Sequence, residues 1–151
     1  MWNIRRVSQL LVAVTMLIMT ASCDLHTSDN GDLDGYWHLI GVDTLTTGGH
    51  LNLSEKLVFW GVQANLVEAV DHGNDATHYG YIFYFRYDGD RLHVYNVYRH
   101  DRANGDVKVE NVADIAPLGL NQLEIWFSVV QLNGSTMILA DDFLRLTFRK
   151  Q

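Results

Sequence analysis

Three sets of side chains in this 151-residue chain have the types and spacing to do chemistry. Asp71, His72, Asp75 and His78 crowd one polar loop, D-H-G-N-D-A-T and the histidine after it, and all are metal-ligating types. Their spacing matches no zinc signature, so a solvated polar loop is the simpler reading. Asp141 and Asp142 are adjacent carboxylates, the pair that general acid–base work requires, but they stand where a tight turn would leave both in water. Cys23 is the only cysteine and so has no disulfide partner within the chain. No serine sits in a G-x-S-x-G setting, and neither a phosphate loop nor a cofactor fingerprint is present. The expectation is a protein that is not an enzyme and carries no metal and no cofactor.

A fourth set is aromatic. Tyr79, Tyr81, Phe83 and Phe85 alternate with Gly80, Ile82, Tyr84 and Arg86, the period of a strand with one apolar face. Asp88-Gly89 then supplies a two-residue hairpin turn. Counting back from it sets Phe85 opposite Leu92, Phe83 opposite Val94, Tyr81 opposite Asn96 and Tyr79 opposite Tyr98. A slip of one residue would break the match of apolar faces. Arg86, Arg91 and His93 fall on the other, wet face, and His38 is likewise read as a surface residue. The rings either fill a core or line a site for a small hydrophobic ligand, with Asn96 and Tyr98 as its polar handles.

The elements that would position these rings are strands. Leu33 to Thr44 places Gly35, Trp37, Leu39 and Gly41 on one face and Tyr36, His38, Ile40 and Val42 on the other. Lys56 to Val70 reads as one long strand with Val58, Trp60, Val62, Ala64 and Leu66 inward, a helix being the rival from Val62 onward. Asp106 to Glu110 is expected as a short edge strand, and Asn111 to Gly119 as one helical turn ended by Pro117. The last third reads as a meander: Leu123 to Leu132, an Asn133-Gly134 turn, Ser135 to Ala140, an Asp141-Asp142 turn, and Phe143 to Lys150. Its expected core face is Trp126, Ser128, Val130, Met137, Leu139, Leu144, Leu146 and Phe148. Seven or eight antiparallel strands with almost no helix give an all-β up-and-down barrel or a sandwich.

Residues 1–22 stand apart from the fold. Arg5 and Arg6 precede an apolar run, Leu10 to Met19, which is shorter than the roughly 20 residues of a membrane-spanning helix. Thr20-Ala21-Ser22-Cys23 follows and resembles a bacterial lipoprotein signal, which implies a lipid-modified Cys23 at the mature N-terminus. The alternative is an ordinary signal peptide with a free Cys23. Residues 23–32 would then form a flexible tether and 33–151 the domain. The leader takes two of the eleven basic residues and none of the eighteen acids, leaving a charge of 9 − 18 = −9 on the remainder. That balance argues against nucleic acid and against docking on anionic lipid through a basic patch.

Gly35-Tyr36-Trp37 near the mature start, with L-R-L-T-F-R-K at residues 144–150, resembles the lipocalin (calycin) pattern. The resemblance implies a barrel whose first-strand Trp37 is packed at the closed end under a basic side chain of the last strand. That side chain would be Arg149, with Arg145 as the alternative, stacked by cation–π attraction. More narrowly, the chain is similar to lipocalin-like lipoproteins of Bacteroidota-type bacteria. The matching stretches are C-D-L, N-G-D-L-D-G-Y-W-H-L, V-D-T-L-T-T-G-G, F-W-G-V-Q and M-I-L-A-D-D-F-L-R-L-T-F-R-K. The implied place is the cell envelope, the outer membrane before the inner, with attachment through Cys23. The implied function is binding of a small hydrophobic ligand, or surface contact with an envelope protein or glycan around a filled barrel. Asp43-Thr44-Leu45 also fits an O-glycosylation pattern of such bacteria at Thr44, against the plainer reading of a strand running into a turn.

Overall fold

The computed structural model describes residues 28–73 and 80–151. Cys23, the leader, and the loop residues Asp75, His78 and Tyr79 lie outside the described residues. The strands are β1 (Gly35–Thr44), β2 (Gly49–Asn52), β3 (Val58–Gln63), β4 (Leu66–Asp71), β5 (Tyr81–Tyr87), β6 (Arg91–Arg99), β7 (Val107–Lys108), β8 (Ile125–Leu132), β9 (Thr136–Ala140) and β10 (Leu144–Lys150). Each pairs antiparallel with its neighbours, and β1 pairs with both β3 and β10. That second pairing closes eight strands into a ring, so no long edge is left to template aggregation. The short β2 and β7 lie beside β1 and β6. The architecture is a closed, antiparallel up-and-down barrel.

Period-2 alternation sends one side chain in two to the interior. Trp37, Leu39, Trp60, Phe83, Phe127, Met137, Leu139, Leu146 and Phe148 have no accessible surface at all. Both ends are covered. A 3₁₀ turn at Gly31–Leu33 buries Leu33 beneath one end, where the Trp37 indole N–H donates to the Leu33 carbonyl at 2.8 Å. At the other, two 3₁₀ turns (Val112–Asp114 and Ala116–Leu118) carry Ile115, Leu118 and Leu120 inward. The Trp60 indole N–H donates to the Leu118 carbonyl at 3.0 Å. Gly119, left-handed at φ +89, follows; a Cβ there would lie 3.1 Å from Leu146 and 3.3 Å from Leu39.

The expected edge strand exists in shorter form, and in place of one helical turn ended by Pro117 there are two, with Pro117 inside the second. Four registers differ from the reading above. In β1 a bulge at Ile40 turns Val42 inward opposite Leu146 and Gly41 outward opposite Thr147. Residues 56–70 are not one strand. They form the β3–β4 hairpin, which turns at Ala64 (φ 55) and pairs Gln63 with Leu66. Val67 and Ala69 point inward, while Leu66 and Ala64 are exposed.

In the β5–β6 hairpin the central turn residues are Gly89 and Asp90. Asp88 takes the first position, donating its N–H to the Arg91 carbonyl and accepting the Arg91 N–H on its own carboxylate at 2.7 Å. Phe85 therefore faces Val94, two residues from the expected pairing, a shift that keeps Phe85, Leu92 and Val94 inward. A bulge opposite Phe83 then puts Asn96 at φ 52 and outward, so Val97 is buried and Asn96 is exposed.

The β8–β9 hairpin behaves alike. Asn133 holds the turn from its first position and accepts the N–H groups of Ser135 and Thr136. A bulge at Val130 then reverses the faces of β8. Ile125 and Phe127 are buried, with Val129 against them, whereas Trp126, Ser128 and Val130 face outward. Among the described residues no helix is long and apolar enough to cross a membrane.

Candidate functional site

At the closed end, β1 and β10 place Trp37 directly beside Lys150. The Lys150 ammonium lies 4.8 Å from the centre of the Trp37 ring and donates to the Asp32 carbonyl at 2.9 Å. Arg149, the expected partner, pairs with His38 on the outer side and is exposed; Arg145 is exposed as well. The parity of β10 decides this, because Lys150 shares the face of Phe148 and Leu146. It also explains the glycine of G-x-W. A Cβ on Gly35 would stand 2.5 Å from Lys150 Cε, so the lysine can cross onto the indole only over a bare backbone.

The residues proposed to line a ligand site are split. Phe83 and Phe85 lie in the core, the former with its ring centre 5.0 Å from that of Trp60. Trp60 in turn meets Phe148 at 4.9 Å. Trp60, Phe83 and Phe148 are thus fully buried and packed against one another inside the barrel. Tyr81 is half-buried against the core, Asn96 and Tyr98 are turned to the outside by the β6 bulge, and Tyr79 lies beyond the described residues.

A second aromatic set, on the outer face of β6 and β8, escapes the sequence reading. His93 and Trp126 are cross-strand partners, their rings 4.0 Å apart and 3° from parallel. Tyr95 stacks on His93 at 4.9 Å, and Tyr84 lies 6.1 Å from Tyr95. The Arg91 guanidinium rests 4.5 Å from the Trp126 ring and that of Arg86 5.5 Å from Tyr95. His93 Nε2 is 2.8 Å from the Glu124 carboxylate; the carboxylate only accepts, so the ring N–H donates. His93 is consequently buried although it faces outward, while Trp126 remains 48 % exposed. The signal for this set was the run Ile125-Trp126-Phe127, apolar at both parities, from which the wrong parity is easily drawn.

Beside Trp126 lies a concavity of about 400 Å³ walled by Trp126, Phe143, Arg91, Glu124, Gln122 and Asp142. A larger outer groove of about 970 Å³ crosses β1, β3, β4 and β5 past Tyr36, Gly61, Leu66, Glu68 and Ile82. Burial, and then the nearby Glu68 carboxylate, raise the Tyr36 hydroxyl above its ordinary pKa. Tyr36 also stacks on Phe59 at 4.9 Å, and His38, buried rather than free at the surface, stacks on the same ring at 4.7 Å.

The remaining candidates separate. Asp141 is structural: one carboxylate oxygen accepts the N–H groups of Phe143 and Leu144, the other the Asn121 amide. Asp71 accepts the Gly73 N–H, and His72 lies 3.3 Å from the Tyr36 hydroxyl. No three metal-ligating side chains meet among the described residues. Thr44 ends β1, half-buried, beside the exposed Leu45.

The family model of the lipocalin-like domain matches residues 16–151. No functionally curated protein matches the chain. Among solved structures, it resembles a lipocalin-like protein from Bacteroides uniformis ATCC 8492, with a TM-score of 0.61 and 19 % identity over 80 % of this chain and 100 % of that one. It also resembles an uncharacterized protein from Bacteroides eggerthii DSM 20697, with a TM-score of 0.59 and 17 % identity over 78 % of this chain and 98 % of the other. With the family match spanning nearly the whole sequence, and a closed eight-stranded barrel whose base is Gly35, Trp37 and Lys150, this chain belongs to the lipocalin-like domain family.

Proposed function

We propose that this domain is a non-enzymatic binding module of a bacterial cell envelope, held to a membrane by lipid on Cys23, that meets its target with the outside of a filled barrel. The observation that carries this reading is the interior. Trp60, Phe83 and Phe148 meet ring against ring with no accessible surface, where a ligand of the barrel would have to lie. Meanwhile Trp126, Val130 and Phe143 stand about half exposed outside. Trp126 and Phe143 border one concavity together, and exposed apolar groups gathered in this way mark contact surfaces.

A small hydrophobic ligand within the barrel is the second reading, favoured by the lipocalin-like fold and by Tyr81, half-buried against the core near one end of the ring. Native mass spectrometry of the protein purified from its own host discriminates the two. The filled barrel predicts the mass of the bare lipidated chain; a stoichiometric small molecule that leaves with the Phe83→Trp variant would establish the second reading instead. The anchor is tested separately: Cys23→Ser, or globomycin treatment, should release the protein from the membrane fraction.

A further inference from the structure

We infer that the concavity beside Trp126 is a binding site for an uncharged sugar residue, an assignment that rests on the outer-surface reading and gives that surface a ligand class. Its volume, about 400 Å³, lies within the range of about 300–1,000 Å³ usual for small-molecule sites. Two half-exposed rings, Trp126 on β8 and Phe143 in the β9–β10 turn, form apolar walls. Between them the lining is polar: Arg91, Gln122, Glu124 and Asp142.

A pyranose has this duality. It presents a face of C–H groups, which packs on an aromatic ring, and a rim of hydroxyls, each both donor and acceptor. Planar amide, carboxylate and guanidinium groups are the partners that take such hydroxyls two at a time. Among the described residues no hydrogen bond engages the side chains of Gln122 or Asp142, so their capacity is open to a ligand. A lipid chain would leave these groups unpaired at a cost. An anion is disfavoured because Glu124, Asp141 and Asp142 outnumber Arg91 along the wall.

The site is also built in advance of any ligand. The parallel His93 ring at 4.0 Å holds the Trp126 indole, and Glu124 is held by His93. The Asp141 carboxylate fixes the turn that carries Phe143. Side chains already ordered lose little further entropy on binding.

The test is titration of the purified full chain with neutral oligosaccharides (glucan, mannan and galactan fragments), read by the ¹⁵N–¹H resonance of the Trp126 indole. The indoles of Trp37 and Trp60, hydrogen-bonded inside the barrel, serve as silent internal references. At least one neutral series should shift the Trp126 signal saturably, and Trp126→Ala, followed through the Gln122 amide, should weaken binding by about tenfold or more. Phe143→Ala should weaken it less. Because Trp126 is an outer-face residue, a cooperative unfolding transition with a melting temperature lowered by only a few degrees verifies that these variants fold. The inference is overturned if neutral sugars leave the indole unmoved, or if only a quaternary amine or an anionic sugar moves it. It is overturned too if Trp126→Ala retains full affinity. A protein that keeps its envelope target after Trp126→Ala would retain the outer-surface reading and lose only this site.

Discussion

The barrel holds two aromatic sets, one inside and one out, and they are assembled by different rules. Inside, Trp60 meets Phe83 at 75° and Phe148 at 55°, the tilted arrangements that fill volume. Outside, His93 lies 3° from parallel with Trp126, with Arg91 against the indole and Glu124 on the imidazole. Tilted rings whose one polar group, the Trp60 N–H, is already taken by the Leu118 carbonyl maximise burial and leave nothing for a ligand. The parallel outer pair buries His93 and covers part of the indole, yet leaves Trp126 about half exposed. The difference separates stability from recognition: the inner set holds the fold together, and the outer set has surface left to offer.

That division is most severely tested by truncation. Trp60→Ala or Phe127→Ala removes a fully buried ring and should cost about 3–5 kcal/mol in urea denaturation. Trp126→Ala, one residue along the same strand, should cost only about 1 kcal/mol, the scale of a ring stack lost in water. Equal losses from the two neighbours would abolish the distinction.

Gly35→Ala is the next largest. It drives a methyl into Lys150 and adds a side chain at φ +133, which should cost about 1–3 kcal/mol and lower the thermal midpoint. Lys150→Met tests the base more gently. Loss of the cation over Trp37 should destabilise by about 0.5–1 kcal/mol, whereas Arg149→Met should fall within about ±0.5 kcal/mol. The reverse order would return the cap to Arg149.

The smallest effect lies in the exposed loop after β6. A side-chain hydrogen bond from Asn104, and then the backbone N–H groups of Asn104 and Ala103, hold the Asp101 carboxyl below its ordinary pKa. A lowered folded-state pKa means that these bonds contribute fully above the ordinary carboxylate pKa and are lost as pH falls through the lowered one. Asn104→Ala should therefore raise the Asp101 pKa toward its ordinary value, measured by NMR titration, with no change in the barrel.

The turns show how much of this was written locally. Asp88, Asn133 and Asp141 were each legible as hairpin punctuation, and each does end a strand. Their role is the first turn position, with the side-chain oxygen accepting the N–H three residues on. Asn-Gly and Asp-Gly pairs suit the two central positions equally well, so local chemistry marks the turn without setting its register to the residue.

Period-2 alternation and the turn residues were enough to specify antiparallel strands joined by hairpins, because each depends only on neighbours in sequence; a closed barrel with Trp37 at its base was implied only by the resemblance that G-x-W and the last strand carry. The bulges at Ile40, Asn96 and Val130 were not legible, and each inverts the side chains beyond it. A bulge forms where two strands of a closing ring must bend to meet, which is a property of the ring and not of ten residues. For that reason the sequence could supply Trp126 and His93 as ring-bearing residues, but only closure of the barrel put them together, outside.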